Sequence, residues 1–269
     1  MFKEVFSTIH VDEKWFYLRK ASRYVILAPG EKRPERHAPS KRFIPKVMFL
    51  SAICRPHINQ VTGEVIFDGK IGIFPFIQLE PAQRASRNRP RGTLVVKNVT
   101  VDAQAYFDML CDNVLPAIHQ KFPNLEAKIL IQQDNAGPHL DPLDATWREA
   151  VGSSGVDIEL YNQPANSPDL NINDLGFFRA IESIQQKHRS RVAEELIENV
   201  NKAFEAYTAN DINKIWVTHQ SCMVEILKAL GGNQYKIPHM KKDKLLREGK
   251  LPTSLCVPLQ LYEAGKIHL

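Results

Sequence analysis

The sequence predicts an α/β fold, and three observations predict it. Short β-branched or apolar runs recur at 5–11, 47–54, 64–77, 127–133 and 157–161, each bounded by turn residues. Apolar residues at helical spacing occupy 102–118 and much of 174–230. With 269 residues, 43% of them hydrophobic, the chain can bury one sizeable core or two small ones.

Taken in order, Val5 to Val11 suits a strand ending at Asp12, with Trp15 to Leu18 and Arg23 to Leu27 as hairpin partners. A first basic loop follows at 31–42 (EKRPERHAPSKR), which holds two prolines and no apolar period. The strand signals VMFLSAIC and EVIFDGKIGIFPFI lead to a second basic loop, PAQRASRNRPRG, at 81–92. This loop carries Arg84, Arg87, Arg89 and Arg91 and is broken by Pro90 and Gly92, so it is expected to be exposed. Asp102 is the expected N-cap of a helix with Tyr106, Phe107, Leu110, Val114 and Ile118 on one side, disturbed by Pro116. The apolar run AKILIQQ ends at Asp134, a helix is expected over 141–151, and a strand over 157–161. After the proline-rich QPANSPDLN, a helix is expected to start near Asp174 with Phe178, Ile181 and Ile184 or Gln185 on one face. Helical period runs on to about 230, where Gly231 and Gly232 stop it. The basic HMKKDKLLREGK and the following LPTSLCVPLQL are either a packed C-terminal extension or a strip for a partner.

Composition narrows the function classes. Lys and Arg number 35 against 30 acids, giving +5 and a pI near 8.9, which permits a polyanionic partner. Four cysteines, at 54, 111, 222 and 256, stand too far apart for a zinc site or disulfide framework. Neither a signal-peptide core nor an apolar run of membrane-spanning length is present, which points to a soluble intracellular protein.

Three aspartates, Asp12, Asp134 and Asp174, fall where a strand is expected to stop or a helix to start. Such ends let distant segments converge at one edge of a sheet. Magnesium takes a few carboxylates and leaves positions for phosphate oxygens, and two ions roughly 3.5–4 Å apart serve in-line phosphoryl displacement. Each acid also has a structural explanation. Asp12 can begin a DEK turn, Asp134-Asn135 can be an Asx turn, and Asp174 suits a helix first turn capped by Asn171 or Asn173.

The segments VDEKWF at 11–16, IQQDNAGPH at 131–139 and QPANSPDLNINDLGFF at 163–178 together resemble the mariner-like transposases. So do KRFIPKVMFLSAICRP, FDGKIGIFPF, EPAQRASRNRPRGT, LPAI and GGNQYKIPHM, which extend the resemblance from about residue 8 to about 256. The 39 residues between Asp134 and Asp174 resemble the branch whose third acid is aspartate. The resemblance implies an RNase H-like fold: a mixed central sheet flanked by helices, an inserted basic loop region and a helical C-terminal part. The expected division is a catalytic domain at 1–230 and an extension at 231–269. The resemblance further implies Asp12, Asp134 and Asp174 as catalytic metal ligands, with Mg²⁺ or its substitute Mn²⁺, two ions per site. It implies double-stranded DNA as partner, as transposon ends and as target, and is compatible with a homodimer working in the nucleus. Cleavage by activated water and attack of the freed 3′-hydroxyl on target DNA are the implied steps.

Glu13, Asn135, His139 and Asp169 are motif neighbours of less defined role; His139 suits holding the strand-end loop, and Asp169 a turn or cap. Arg84, Arg87, Arg89 and Arg91 suit DNA-backbone contact, or a solvated loop. Trp15 and Phe16 are assigned to packing rather than to the site. Family members usually carry a helix-turn-helix region of a hundred residues or more before the first acid, whereas eleven residues precede Asp12 here, so that region is expected to be absent. The rival expectations are a catalytically silent DNA-binding or interaction domain and, more weakly, an RNase H or exonuclease of the same fold.

Overall fold

The computed structural model describes residues 5–18, 27–32, 44–59, 61–85 and 89–268. Five strands form a central sheet: β1 (Thr8–Tyr17), β2 (Lys46–Cys54), β5 (Lys70–Pro75), β8 (Ile129–Gln133) and β9 (Ile158–Asn162), in the order β5-β2-β1-β8-β9. β2 runs antiparallel to both β1 and β5, while β8 runs parallel to both β1 and β9, so the sheet is mixed.

Strand alternation divides the core into two layers. Ile9, Val11, Leu50, Ala52 and Ile131 face one side, covered by α1 (Ala103–Met109), α2 (Leu115–Lys121) and α3 (Ala145–Ser154). Phe16, Val47, Phe49, Ile53 and Ile73 face the other, covered by α4 (Phe178–Gln185), α5 (Ala193–Ala206) and α6 (Ala209–Lys228). The two buried tryptophans, Trp147 and Trp216, anchor opposite layers.

Several sequence expectations shift. The first strand does not stop at Asp12 but continues to Tyr17, because β2 pairs with it throughout, Asp12 lying opposite Ser51. Trp15–Leu18 thus belongs to the end of β1 and the bend after it; of the expected partner Arg23–Leu27, all but Leu27 lies outside the described residues. The run 64–77 is split by a turn at Gly69 (φ +84°), where a Cβ would come within 2.5 Å of the Cys54 carbonyl. The pieces are β4 (Val65–Phe67), which pairs with β3 (His57–Ile58), then β5, and the start of β6 (Ile77–Pro81). β6 pairs with β7 (Leu94–Asn98) as a two-stranded ribbon, a partner the sequence reading did not include. The second basic loop is the tip of that ribbon, closed by Ala82 N–H to Thr93 O (2.8 Å) and Gly92 N–H to Ala82 O (2.9 Å). The first basic loop lies almost wholly outside the described residues.

Asp102 caps α1, accepting from Ala105 N–H at 2.9 Å. A π-helical turn at Leu110–Val114 joins α1 to α2 just before Pro116, whose missing N–H removes one ordinary helical bond there. The helix expected over 141–151 begins at Ala145, set by the cap Asp144, which accepts from Trp147 N–H at 2.9 Å. The long helical stretch is three helices with breaks at 186–192 and 207–208. Past Gly231, α7 (Lys242–Arg247) and α8 (Leu259–His268) lie along α6: Lys214 bonds Asp243 (2.6 Å), and Gln220 accepts from Leu255 N–H (2.9 Å). Buried Arg55 donates to Asn213 Oδ1 and to the Thr253 carbonyl. No helix among the described residues is long and apolar enough to cross a membrane.

Candidate active site

Backbone register sets the first two acids side by side. β1 and β8 pair as Thr8 with Leu130, Ile9 with Ile131 and His10 with Gln132, and the same offset carries Asp12 to the level of Asp134. The paired residues stop at His10, so at this level the two strands part. By alternation Asp12 and Asp134 project to the side of the sheet covered by α4 and α6. Asp174 enters from that side, in a π-helical turn at Asn173–Phe177 that runs into α4. The expected helical face is present: Phe178, Ile181 and Gln185 are buried.

Side chains lock that turn to β1. Asn171 donates to Val11 O (3.2 Å), Asn173 to His10 O (3.1 Å), and Ile172 N–H donates to His10 Nδ1 (3.3 Å). Just upstream, the Leu170 carbonyl accepts from Gln132 Nε2 (2.8 Å) and faces His219 Nε2 on α6 at 3.1 Å. Burial, then the neighbouring His219, holds His10 well below the usual imidazole range. Burial pulls His219 down to about 4; its bond to Leu170 O opposes that and the Arg55 charge adds to it. Both rings are neutral near pH 7, so His10 Nδ1 is an acceptor and His219 Nε2–H a donor.

The second acid is held from the opposite face of the sheet. His139 Nδ1 lies 3.0 Å from Asp134 O and 2.8 Å from Asp134 Oδ1, and its Nε2 lies 3.0 Å from Glu13 Oε2. The ring stacks on buried Tyr106 (centroids 4.3 Å apart, planes at 23°), whose hydroxyl donates to Gln133 Oε1 at 3.1 Å. Burial lowers the His139 pKa, but the Glu13 bond and charge and the Asp134 contacts outweigh it and leave it above the usual value. The expected Asx turn is also present, since Asp134 Oδ1 accepts from Ala136 N–H at 2.9 Å. Asn135 donates to Gln163 O (2.8 Å), and Asp169 sits in a short 3-10 turn, Pro168–Leu170.

The three acids act on one another electrostatically. Asp12 is 8% exposed, and its carboxyl is pushed up to about 8, first by burial, then by the charges of Asp174, Glu13 and Asp134, against one bond from Glu13 N–H. Asp174 is likewise raised, by burial and by Asp134, with Lys14 opposing. Among the described residues, no three carboxylate, imidazole or thiolate groups gather tightly enough to hold a metal ion by themselves. The donor set nonetheless fits a hard divalent cation in chemistry and in charge, because such an ion takes only one or two carboxylates and completes its shell with water and phosphate oxygens.

Of the arginines, Arg84, Arg89 and Arg91 are exposed at the ribbon tip, outside the central sheet, and Arg87 lies outside the described residues. Trp15 is partly exposed, with Lys46 Nζ 3.9 Å from its ring centroid, while Phe16 is core. Glu13, Tyr106 and the pair His10–His219 are the partners that sequence reasoning left without a role. The signal for Glu13 was alternation, which sends it to the face opposite Asp12, where His139 meets it. All four cysteines are free thiols.

No family model and no curated protein matches the chain. Solved structures do. The chain is similar to a pre-cleavage Mos1 transpososome (18% identity, TM-score 0.54, covering 86% of this chain and 58% of that one). It is also similar to the mariner Mos1 paired-end complex with Mg (19%, 0.55, 87% and 58%) and to the Mos1 strand transfer complex (19%, 0.55, 86% and 56%). The mixed sheet flanked by helices is therefore the expected RNase H-like fold, shared with these Mos1 structures. The chain spans a little under three fifths of the length of these structural neighbours.

Proposed function

We propose that this chain is the catalytic domain of a mariner-like transposase of the three-aspartate branch, cutting DNA and joining the freed 3′-hydroxyl to a target. The observation that carries this reading is the convergence of three segments distant in sequence: the β1–β8 register brings Asp12 level with Asp134, and Asn171 and Asn173 tie the turn that holds Asp174 to β1. The likeness to Mos1 complexes solved with transposon ends and with Mg or Mn supports it.

Asp12, Asp134 and Asp174 would hold Mg²⁺ or Mn²⁺, two ions per site, which when bound would activate water or a 3′-hydroxyl and stabilise charge on the phosphate. Burial first and then the neighbouring carboxylates raise the Asp12 carboxyl to about 8, so it would give up a proton on becoming a ligand. His139 holds the Asp134 carboxylate in place through the bond to Glu13, so that acid enters the reaction already oriented. The His10, Asn171 and Asn173 contacts do the same for Asp174. Arg84, Arg87, Arg89 and Arg91 serve as DNA-backbone contacts in this reading. The catalytic part is residues 1–230, with 231–269 an extension, and a homodimer acting in the nucleus is the working arrangement.

The test is nicking of double-stranded DNA by the purified chain with Mg²⁺ or Mn²⁺ at low salt, beside Asp134→Asn. Metal-dependent cleavage that drops at least a thousandfold in the variant is the expected outcome, of the order of ~4 kcal/mol in the barrier. DNA binding without cleavage by either protein would replace the reading with a catalytically silent DNA-binding domain.

A further inference from the structure

We propose that the turn joining α4 to α5, residues 186–192, is a second contact surface for the DNA backbone, a short distance from the acids. The proposal rests on the DNA-cutting reading of the site. The sequence there is QKHRSRV, and Lys187, His188, Arg189 and Arg191 are all exposed. The backbone beneath them is fixed. Lys187 N–H bonds Ile184 O (3.1 Å), His188 N–H bonds Gln185 O (3.0 Å), and Arg191 N–H bonds Glu195 Oε2 (2.7 Å). Ser190 is fully buried and accepts from Asn199 Nδ2 at 3.0 Å, so the cationic side chains surround an anchored centre. Cations presented on an ordered turn lose less entropy on binding than the same charges on a loose one.

Their lack of partners sets them apart. On the neighbouring helices Lys202 pairs with Glu198 (2.6 Å), Lys214 with Asp211 (2.6 Å) and Lys228 with Glu225 (2.7 Å). Among the described residues, Lys187, Arg189 and Arg191 have no ion pair. The acids flanking the turn accept hydrogen bonds, Glu182 from Gln186 Nε2 and Glu195 from Arg191 N–H within the turn and Glu194 from Val96 N–H, and form no ion pair with these three cations. Three exposed cations without ion pairs suit phosphate, which guanidinium and ammonium groups bind without sequence preference.

Position supplies the occupant. The turn is the far end of the helical element that holds Asp174 in its first turn, and the eleven steps from Asp174 to Gln185 span about 16 Å. At roughly 3.4 Å per base pair that is about five base pairs, so a duplex that runs from the acids along α4 reaches the turn with its next phosphates.

The experiment measures binding of the full chain to a 30-base-pair duplex across a salt series, comparing wild type with Lys187→Ala/Arg189→Ala/Arg191→Ala. The triple variant is expected to bind at least tenfold more weakly at low salt, and its log–log salt slope to flatten by about 2–3, since each phosphate contact contributes roughly 0.9. Arg189→Lys/Arg191→Lys keeps the charge and should keep the slope. Unchanged affinity and slope in the triple variant would overturn the proposal, as would weaker binding at an unchanged slope. Slope flattening in the triple variant, beside a wild type that binds but never cleaves, would sink the transposase reading and leave this surface standing.

Discussion

The acids on the sheet and the acid on the helix are held in place by different physics. Asp12 is set by backbone pairing, the β1–β2 ladder fixing it opposite Ser51, and Asp134 follows directly on the last paired residue of β8, where the β1–β8 register brings the two level. Those bonds survive most side-chain changes. Asp174 has no ladder beneath it. Its turn is tied to β1 by Asn171, Asn173 and His10, and to β8 and α6 through the Leu170 carbonyl, all side-chain bonds in a buried setting. A buried polar group that loses its partner costs more than the bond contributed, so the third acid is the fragile one.

Among the residues that only position the acids, the largest effect should therefore come from cutting that tether. Asn173→Ala removes the donor to His10 O and is expected to cost about 1–3 kcal/mol of stability. The misplacement of Asp174 should lower metal-dependent cleavage on the order of 100-fold. Ile131→Val, in the parallel ladder, should cost about 1 kcal/mol with cleavage nearly intact. Thermal melts and single-turnover cleavage on both proteins decide it, and equal losses of activity would dissolve the distinction between the two kinds of placement.

That difference also governs what the sequence made legible. The runs at 47–54 and 127–133 became β2 and β8 because a strand buried on both faces leaves a plain apolar signature, and 157–161 became the edge strand β9 by alternation, with Ile158 and Leu160 buried and Glu159 exposed. The Asp102 cap and the α4 face of Phe178 and Ile181 were visible for the same reason of period. Asp12 was taken for a strand end, because Asp-Glu-Lys reads as a turn; it lies mid-strand, and its burial depends on β2 and α4, which local sequence does not report. The ribbon partner β7 was missed because its face is half exposed, with Leu79 and Leu94 each 60% accessible, so its pattern carries little burial signal. The acids themselves could be picked out as candidates, but His10, His219 and the Glu13–His139 contact join residues up to 209 positions apart, and no spacing rule announces such pairs.

Between the sheet acids and the helix acid stands a shared charge problem, and pH measures it. Asp12 is raised from an unfolded value near 3.8 to about 8, so between those pH values the folded chain binds more protons than the unfolded one. Stability from this group is then highest at low pH and falls as pH rises through about 8, each unit of the rise that survives relaxation being worth about 1.4 kcal/mol. Asp12→Asn should melt several degrees higher than wild type at pH 8.5 without divalent cations, the gap narrowing toward pH 5. Mg²⁺ added at pH 8.5 should raise the melting temperature of wild type and leave the variant nearly unmoved. A wild-type protein whose stability is flat from pH 5 to 8.5 would show that Asp12 does not carry the repulsion of Asp174 and Asp134.

The smallest expected effect tests whether Asp134 owes anything to side chains. Tyr106 supports it twice over: the ring stacks on His139 and the hydroxyl bonds Gln133, the residue just before the acid. Tyr106→Phe keeps the ring and loses the hydroxyl, leaving Gln133 still donating to Leu140 O (2.6 Å) and Asn162 Oδ1 (2.8 Å). The expected cost is about 1 kcal/mol, seen as a melting shift of roughly 2–4 °C, with cleavage changed less than threefold. If instead cleavage falls as far as it does in Asn173→Ala, Asp134 is held by its side-chain clamp as much as by its strand. The line between the two kinds of acid would then run between Asp12 and the other two.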